Sequence, residues 1–242
     1  MIPAVSNRAN AAALELTSGT VLAPGVQFFT FLDSSPRTVV NVVEILPGAP
    51  GAIKVVPAST TGGPGTASVA GLCAEVGAVA CINADMFDGA GPLGGEVVDQ
   101  HWLKAPTTLR QQLWLNSIGE FSTGAQPPGL FQSVGATSYN ILSPGAPISI
   151  PEQDSFSDGG YARTLVGWNS ASYRFFVTVE QGPGSAGVSL ARAAELMQQF
   201  GASTAVNEDG GGSTQMVVRG RPYLAPGEPA RPVANVLAMV SA

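Results

Sequence analysis

Three consecutive glycines, Gly210, Gly211 and Gly212, stand between two carboxylates, Glu208 and Asp209, and two hydroxyls, Ser213 and Thr214. Glycine is poorly suited to a helix or strand interior, so the chain must turn here. The flanks are β-like. Thr204-Ala205-Val206 runs in through Asn207, and Gln215-Met216-Val217-Val218 runs out towards Gly220. The stretch from 203 to 219 therefore reads as strand, tight turn, strand. Glycines in series admit positive φ and let a ligand or a second backbone come close. Successive N–H groups in such a turn can also form an anion-binding concavity. Carboxylate, donor-rich backbone and hydroxyl together suit a reaction site. A tight hairpin whose glycines only satisfy turn geometry is the alternative, and spacing alone does not separate the two.

The rest of the chain must bury a core around that turn. Of 242 residues, 45% are apolar and only 12% charged, which excludes a disordered chain. Thirty glycines and 19 prolines imply many turns, hence a β-rich domain rather than a helical bundle. The net charge of −6 argues against nucleic acid as a partner, because phosphate backbones need a basic surface. No apolar run is long enough to span a membrane. Met1 to Asn10 lacks the charged-then-apolar pattern of an export signal. The thin charged surface fits an extracellular or cell-envelope protein. Cys73 and Cys81 bracket an expected helix end, turn and strand start, a return that brings their ends close enough to bridge. In an oxidising compartment they would form a local disulfide; two buried thiols are the alternative.

Along the chain, Ala9 to Leu16 is an alanine-rich helical patch, so residues 1–24 read as an arm or lead-in helix before a domain spanning 25–242. Strands are expected at Val26–Leu32, Thr38–Leu46, Ile53–Val56, Ala78–Asn83, Val97–Leu103 and Leu113–Leu115. Thr66–Val76 reads as a helix of small residues. Gly89–Gly95 is a glycine-rich loop after Asp88. Residues 124–138 read as a surface excursion, and Ser143–Gly160 as a second broken stretch after a short strand at Tyr139–Leu142. Arg163–Trp168 and Tyr173–Val179 form a hairpin around a loop of hairpin length. Ser189–Phe200 is the clearest helix. Ser189 is a good N-cap, Leu190, Ala193, Ala194, Met197 and Phe200 share one face, and Gly201 stops it. Val233–Val240 is apolar nearly throughout and should be a central strand. The expected fold is α+β: a single domain with a mixed, mainly antiparallel sheet core and a few packed helices.

Five blocks, in order, resemble the phosphodiester glycosidase family. They are Ile82-Asn83-Ala84-Asp85-Met86-Phe87, Arg163-Thr164-Leu165-Val166-Gly167, the Gly187–Gly201 helix, Asn207-Glu208-Asp209-Gly210-Gly211-Gly212-Ser213-Thr214, and Arg231-Pro232-Val233-Ala234-Asn235. Together they cover roughly residues 25 to 240. Two departures stand out. Glu208 replaces the usual apolar residue before the aspartate, and Ala84-Asp85 replaces two glycines. Both add a carboxylate beside the expected site.

The resemblance implies cleavage of a glycosidic bond whose leaving group is a phosphate ester. That reaction needs a carboxylate at the anomeric centre and positive charge on the phosphate more than a strong proton donor. Asp209 matches the family aspartate and is the first candidate for that carboxylate; the alternative is a turn-former bonding the glycine N–H groups. Asp85, a turn cap in the bland reading, and Glu208 are the other catalytic candidates. Neighbours on a strand point to opposite faces, so Glu208 and Asp209 share a site only if the strand breaks first. Arg163 and Arg231 are expected to grip phosphate bidentately, or else to form internal salt bridges. Asn83, Asn235, Ser213, Thr214 and the N–H groups of Gly210, Gly211 and Gly212 complete the expected substrate-binding set, with capping and turn roles as alternatives.

Other chemistries fail. No lysine follows the glycines at P-loop spacing. His101 is the only histidine, and no nucleophile elbow is present, so neither a histidine cluster for metal nor a serine triad is supported. A calcium site from Asp85 and Asp88 has no EF-hand spacing behind it. No cofactor or metal is called for. The implied partner is a carbohydrate or sugar-phosphate substrate; a non-catalytic binder of anionic glycans or of an envelope polymer is the second reading.

Overall fold

The computed structural model describes residues 14–34, 36–108, 110–137, 140–144, 146–147, 158–224 and 230–242. The chain opens with β1 (Leu14–Ala23), β2 (Val26–Ser34), β3 (Arg37–Ile45) and β4 (Gly51–Pro57), followed by α1 (Val69–Glu75) and β5 (Ala80–Asn83). Next come the two-residue strands β6 (Phe87–Asp88) and β7 (Gly91–Pro92), then β8 (Glu96–Val98), β9 (His101–Lys104), β10 (Gln112–Asn116), β11 (Phe121–Ser122) and β12 (Leu130–Gly135). After β13 (Leu142–Ser143) and β14 (Ala146–Pro147) run β15 (Arg163–Trp168), β16 (Arg174–Val179), β17 (Gln181–Gly182) and β18 (Ser185–Ala186). The C-terminal third holds α2 (Leu190–Phe200), β19 (Thr204–Asn207), a 3-10 turn at Gly211–Ser213, β20 (Gln215–Val218), β21 (Arg221–Leu224) and β22 (Asn235–Ser241).

Three sheets carry the domain. Their orders are β1-β2-β3-β16-β15-β19-β13-β14, β21-β20-β5-β22-β4 and β11-β10-β12-β8-β9. The strand pairings within them are antiparallel. The fold is therefore the mainly antiparallel α+β domain expected from the sequence.

The core is layered, and β-strand alternation explains it. Phe28, Val43, Val166 and Phe176 point from one face of the large sheet towards Ile53, Ile82, Leu113, Met216 and Leu237 of the two five-stranded sheets. Their sequence neighbours Phe29, Val42, Leu165, Phe175 and Val177 point the other way, onto Leu190, Ala194, Met197 and Phe200 of α2. Buried on both faces, these strands lose strict apolar–polar alternation, which is why the pattern of β3 is imperfect. On the far side of the β20–β5–β22 sheet, α1 packs Val69 and Leu72 against Cys81, Val217 and Val236. Cys73 of α1 is disulfide-bonded to Cys81 of β5, with a Cα–Cα distance of 6.0 Å. Ser68 and Ser189 cap the two helices, accepting from Gly71 N and Arg192 N, and Gly201 ends α2 with φ 96°.

Four expectations change. Leu14 to Leu16 are strand, not helix, and the start of the alanine-rich patch lies outside the described residues. β1 pairs along β2 from Leu14↔Asp33 to Ala23↔Val26, and this edge pairing overrides local helix propensity. The strand foreseen at Val97–Leu103 is the hairpin β8–β9, turned by Asp99 (φ 47°) and Gln100 (φ 71°). Residues 124–138 are not wholly a surface excursion, because β12 pairs with β10 and buries Gln132 and Ser133. Those polar residues masked the strand in the sequence. Inside, Gln132 accepts from Val55 N and donates to Asp99 Oδ1 at 2.8 Å. Finally, the glycine turn is not a hairpin, since β19 lies in the large sheet and β20 in the β20–β5–β22 sheet.

Candidate active site

Because it crosses from one sheet to the other, the glycine turn sits where five strand ends meet. β19 ends at Asn207 opposite Leu165 near the start of β15. β5 ends at Asn83, flanked by the first residues of β20 and β22. Side chains at such ends escape the ladder and must find other partners.

Asn83 ties the ends together. Its Oδ1 accepts from Thr164 Oγ1 at 2.6 Å and from Gln215 N at 3.0 Å, while its Nδ2 donates to the Asp209 carbonyl at 2.7 Å. The backbone around it is held as firmly: Asp209 N donates to Ala84 O at 2.9 Å, Glu208 N to Thr164 O at 2.8 Å, and Gly211 N to Ala162 O at 2.9 Å. Asn235 works one layer further out. Its Oδ1 accepts from Asp85 N at 2.9 Å, and its Nδ2 donates to Glu96 Oε1 at 2.7 Å. Both asparagines orient backbone, and Asn235 orients the Glu96 carboxylate as well.

This scaffold gathers three carboxylates, because the strand breaks at Asn207 before Glu208 and Asp209 diverge. Glu208 is fully buried, and the charges of Asp85 and Asp209 both act on it. Burial first, and those two charges second, push its carboxyl well above the usual range. Neither carboxyl oxygen of Glu208 has a hydrogen-bond partner among the described residues. Asp85 is 1% exposed, and burial raises its pKa from 3.8 to about 7, against the opposing pull of the Gly94 N–H and of Arg110. Its Oδ2 accepts from Gly94 N at 2.8 Å. Two glycines are required there: a Cβ on Gly135 would stand 2.7 Å from both Asp85 oxygens, and one on Gly94 would stand 2.8 Å from Oδ2. Asp209 is half-buried. Burial raises its pKa too, opposed by the Ser213 hydroxyl, the Arg231 charge, the Gly210 N–H and Arg110.

The turn supplies donors as well as geometry. Gly210 N donates to Asp209 Oδ1 at 3.0 Å, so this aspartate also fills the turn-forming role. Of the three glycines only Gly211 takes a positive φ, 58°. Gly212 is exposed, while Ser213 and Thr214 are buried, and Thr214 Oγ1 has no hydrogen-bond partner among the described residues.

The arginines divide. Arg231 is exposed, lies over the Phe87 ring at 5.3 Å and acts on Asp209. Its carbonyl accepts from Gln215 Nε2 at 2.6 Å, which anchors the segment. Arg163 behaves differently. It is fully buried, its Nε donates to Val188 O at 3.0 Å and its Nη2 to Gly159 O at 3.2 Å, and it lies over the Tyr161 ring. Those contacts suit an internal brace that fastens β15 to the segment before α2.

Arg110 went unmarked in the sequence, yet its charge reaches both Asp85 and Asp209. It lines a cleft of about 700 Å³ with Thr107, Thr108, Gln111 and Trp114. Glu96 was missed as well; it is buried, with its pKa raised by burial and moderated by Asn235. No motif surrounds either residue. The one sequence signal was the glycine-rich run ending at Gly94-Gly95, whose close approach to Asp85 needs residues without side chains. Asp88 is exposed and accepts from Ala90 N within its own turn. Among the described residues no group of three or more His, Cys, Asp or Glu side chains is arranged to hold a metal ion, and no helix is long and apolar enough to cross a membrane.

Known proteins were compared with this arrangement. A catalytic domain of zebrafish N-acetylglucosamine-1-phosphodiester α-N-acetylglucosaminidase, auto-inhibited by its pro-peptide, superposes with a TM-score of 0.74 at 18% identity, covering 96% of this chain and 85% of that one. A hypothetical protein from Synechocystis superposes at 0.72 and 18% identity over 89% of this chain, which spans only 62% of the cyanobacterial protein. A protein described as exported, from Burkholderia pseudomallei, gives 0.65 and 16% identity, with 84% and 74% coverage. These likenesses establish a shared fold. A search of curated protein sequences finds no match. The sequence pattern of the phosphodiester glycosidases, by contrast, matches residues 76–240, more than half of the chain and all three clustered carboxylates. On that match the protein belongs to the phosphodiester glycosidase family.

Proposed function

We propose that the protein is a hydrolase that cleaves the glycosidic bond of a sugar-1-phosphodiester. The substrate would be an N-acetylglucosamine-1-phosphodiester or a comparable linkage in an envelope or exopolysaccharide glycan. The observation that carries this reading is the convergence of Asp85, Glu208 and Asp209 at one junction, with Arg231 and Arg110 acting on it. Glu208 is buried beside the charges of both other carboxyls, an expensive arrangement that a purely structural turn does not need.

In this reading Asp209, the most accessible of the three, works at the anomeric carbon. As C1 parts from the phosphate oxygen, the bonding pair leaves with the phosphate, and Asp209 stabilises the positive charge on the sugar or bonds to it. Water then supplies the oxygen at C1, and its proton passes to a carboxylate. Asp85, with a pKa of about 7, exchanges a proton near neutral pH. Burial and the charges of Asp85 and Asp209 raise the Glu208 carboxyl above its usual range, which favours its neutral form beside Asp209. Arg231 and Arg110 hold the leaving phosphate, and the Gly210–Gly212 turn, Ser213 and Thr214 offer donors to phosphate or sugar oxygens.

The disulfide, and the fold shared with a protein described as exported, support an extracellular or cell-envelope location. The near-complete burial of Asp85 and Glu208 favours one other reading, in which the fold binds anionic glycans without turnover. Incubation with an aryl phosphodiester of N-acetylglucosamine 1-phosphate separates the two. Steady release of free sugar and aryl phosphate supports the hydrolase; saturable binding without release supports the binder.

A further inference from the structure

The strands that deliver the carboxylate cluster have a second end. Along β15 and β19 the pairs run from Leu165↔Asn207, beside the cluster, to Trp168↔Thr204. Three residues of strand separate the two ends, about 10 Å at about 3.3 Å per residue. At the far end lies a cleft of about 640 Å³ bounded by Trp168, Arg174, Phe121, Thr204 and the Asn169–Ser172 loop.

Its lining has a distinct chemistry. Trp168 is half-buried and packs against Phe121, with ring centroids 5.6 Å apart, which fixes an indole face at the wall. Arg174 is half-buried on the adjacent strand. Its Nη1 donates to Gly119 O at 3.1 Å, but its buried Nε has no hydrogen-bond partner among the described residues. Among the described lining residues Glu120 is the one carboxylate, and it already accepts from Asn116 Nδ2 at 2.9 Å. Burial accordingly pulls the guanidinium pKa down, only partly offset by Glu120. A cation held partly out of water gains from an incoming anion. The hydroxyls of Ser170, Ser172 and Thr204 line the same cleft. An indole, a partly desolvated guanidinium and several hydroxyls match a sugar that carries a negative group.

We propose that this cleft is a second, non-catalytic binding site for an anionic saccharide, a uronate or a sugar phosphate. Among the described residues no carboxylate pair lines it, so the proposed role is to hold a ligand and not to cleave one. Its position on the same two strands would let one polymer engage both ends of the domain. The proposal stands apart from the hydrolase reading, because it concerns binding alone.

The test is a titration of the full chain by isothermal calorimetry with four probes: trigalacturonate, glucose 1-phosphate, inorganic phosphate and neutral maltotriose. Wild type, Trp168→Phe, Arg174→Gln and Asp209→Asn are compared, with circular dichroism to confirm folding. The proposal expects saturable binding of at least one of the two anionic saccharides, and which of them binds identifies the anion. Arg174→Gln weakens it at least about tenfold, the scale of one charge-assisted contact, Trp168→Phe weakens it less, and Asp209→Asn leaves it unchanged. Maltotriose binds far more weakly. Equal binding by wild type and Arg174→Gln, or loss of binding in Asp209→Asn alone, overturns the proposal. Inorganic phosphate binding as tightly as the better anionic probe would also overturn it, since the sugar would then contribute nothing.

Discussion

Replacing Asp85 by asparagine should stabilise the protein above neutral pH. The folded-state pKa of Asp85 is about 7 against an ordinary 3.8. Between those values the folded protein keeps a proton that the unfolded chain has released. Stability from this group is therefore fully present below about pH 4, declines as pH rises through 7, and is lost above it. At about 1.36 kcal/mol per pKa unit, the whole decline amounts to about 4 kcal/mol. Asparagine has nearly the same shape, and its amide oxygen can still accept from Gly94 N, but it does not ionise. Urea denaturation of wild type and Asp85→Asn at pH 5 and pH 8 measures the effect. The variant's loss between the two values should be about 2–3 kcal/mol smaller than that of wild type, the part of the decline that falls between pH 5 and 7. Some decline persists in the variant, because Glu208, Asp209, Glu96 and Glu180 are shifted in the same direction. Equal losses in the two proteins would refute the idea that Asp85 is held in a site that resists its ionisation.

Three further perturbations probe the scaffold. Gly135→Ala places a methyl 2.7 Å from both Asp85 oxygens and should lower turnover at least about tenfold through displacement of the carboxylate, with about 1–3 kcal/mol lost in stability; denaturation and kinetics on one preparation check both. Asn83→Ala removes three hydrogen bonds at the sheet junction and should lower stability by about 2–4 kcal/mol, read as a shift in denaturation midpoint. Replacing Cys73 and Cys81 by serine opens a link between residues 8 apart and should cost about 2–3 kcal/mol by chain entropy, with reduction of the wild type giving a matching shift in thermal midpoint.

Where periodicity came from local packing, the sequence was legible. The α2 face, its Ser189 cap and its Gly201 stop are all local features, and the β15–β16 hairpin follows from two apolar runs around a short loop. The β12 strand was hidden because Gln132 and Ser133 are buried by hydrogen bonds that only the tertiary structure supplies. Likewise, nothing local reveals that the glycine turn crosses between sheets, since hairpin and crossover share the same strand–turn–strand pattern. The carboxylates were legible as types at motif positions. That Glu208 and Asp209 act on each other depended on where β19 stops. The arginines were the hardest. A guanidinium reaches in any direction, so residue type alone could not tell that Arg163 is buried in the core while the charge of Arg110 acts on Asp85 and Asp209.

The most direct measurement of the central claim is the turnover of Asp209→Asn beside wild type on the aryl N-acetylglucosamine phosphodiester. The amide keeps the shape of the carboxylate and still offers an oxygen to Gly210 N, so the turn survives. It can neither stabilise a developing oxocarbenium ion nor act as nucleophile or base. Turnover should fall at least about 10²-fold with circular dichroism unchanged. Near-wild-type turnover in a folded variant would contradict the account, reduce Asp209 to a turn residue, and move the reaction to Asp85 or Glu208.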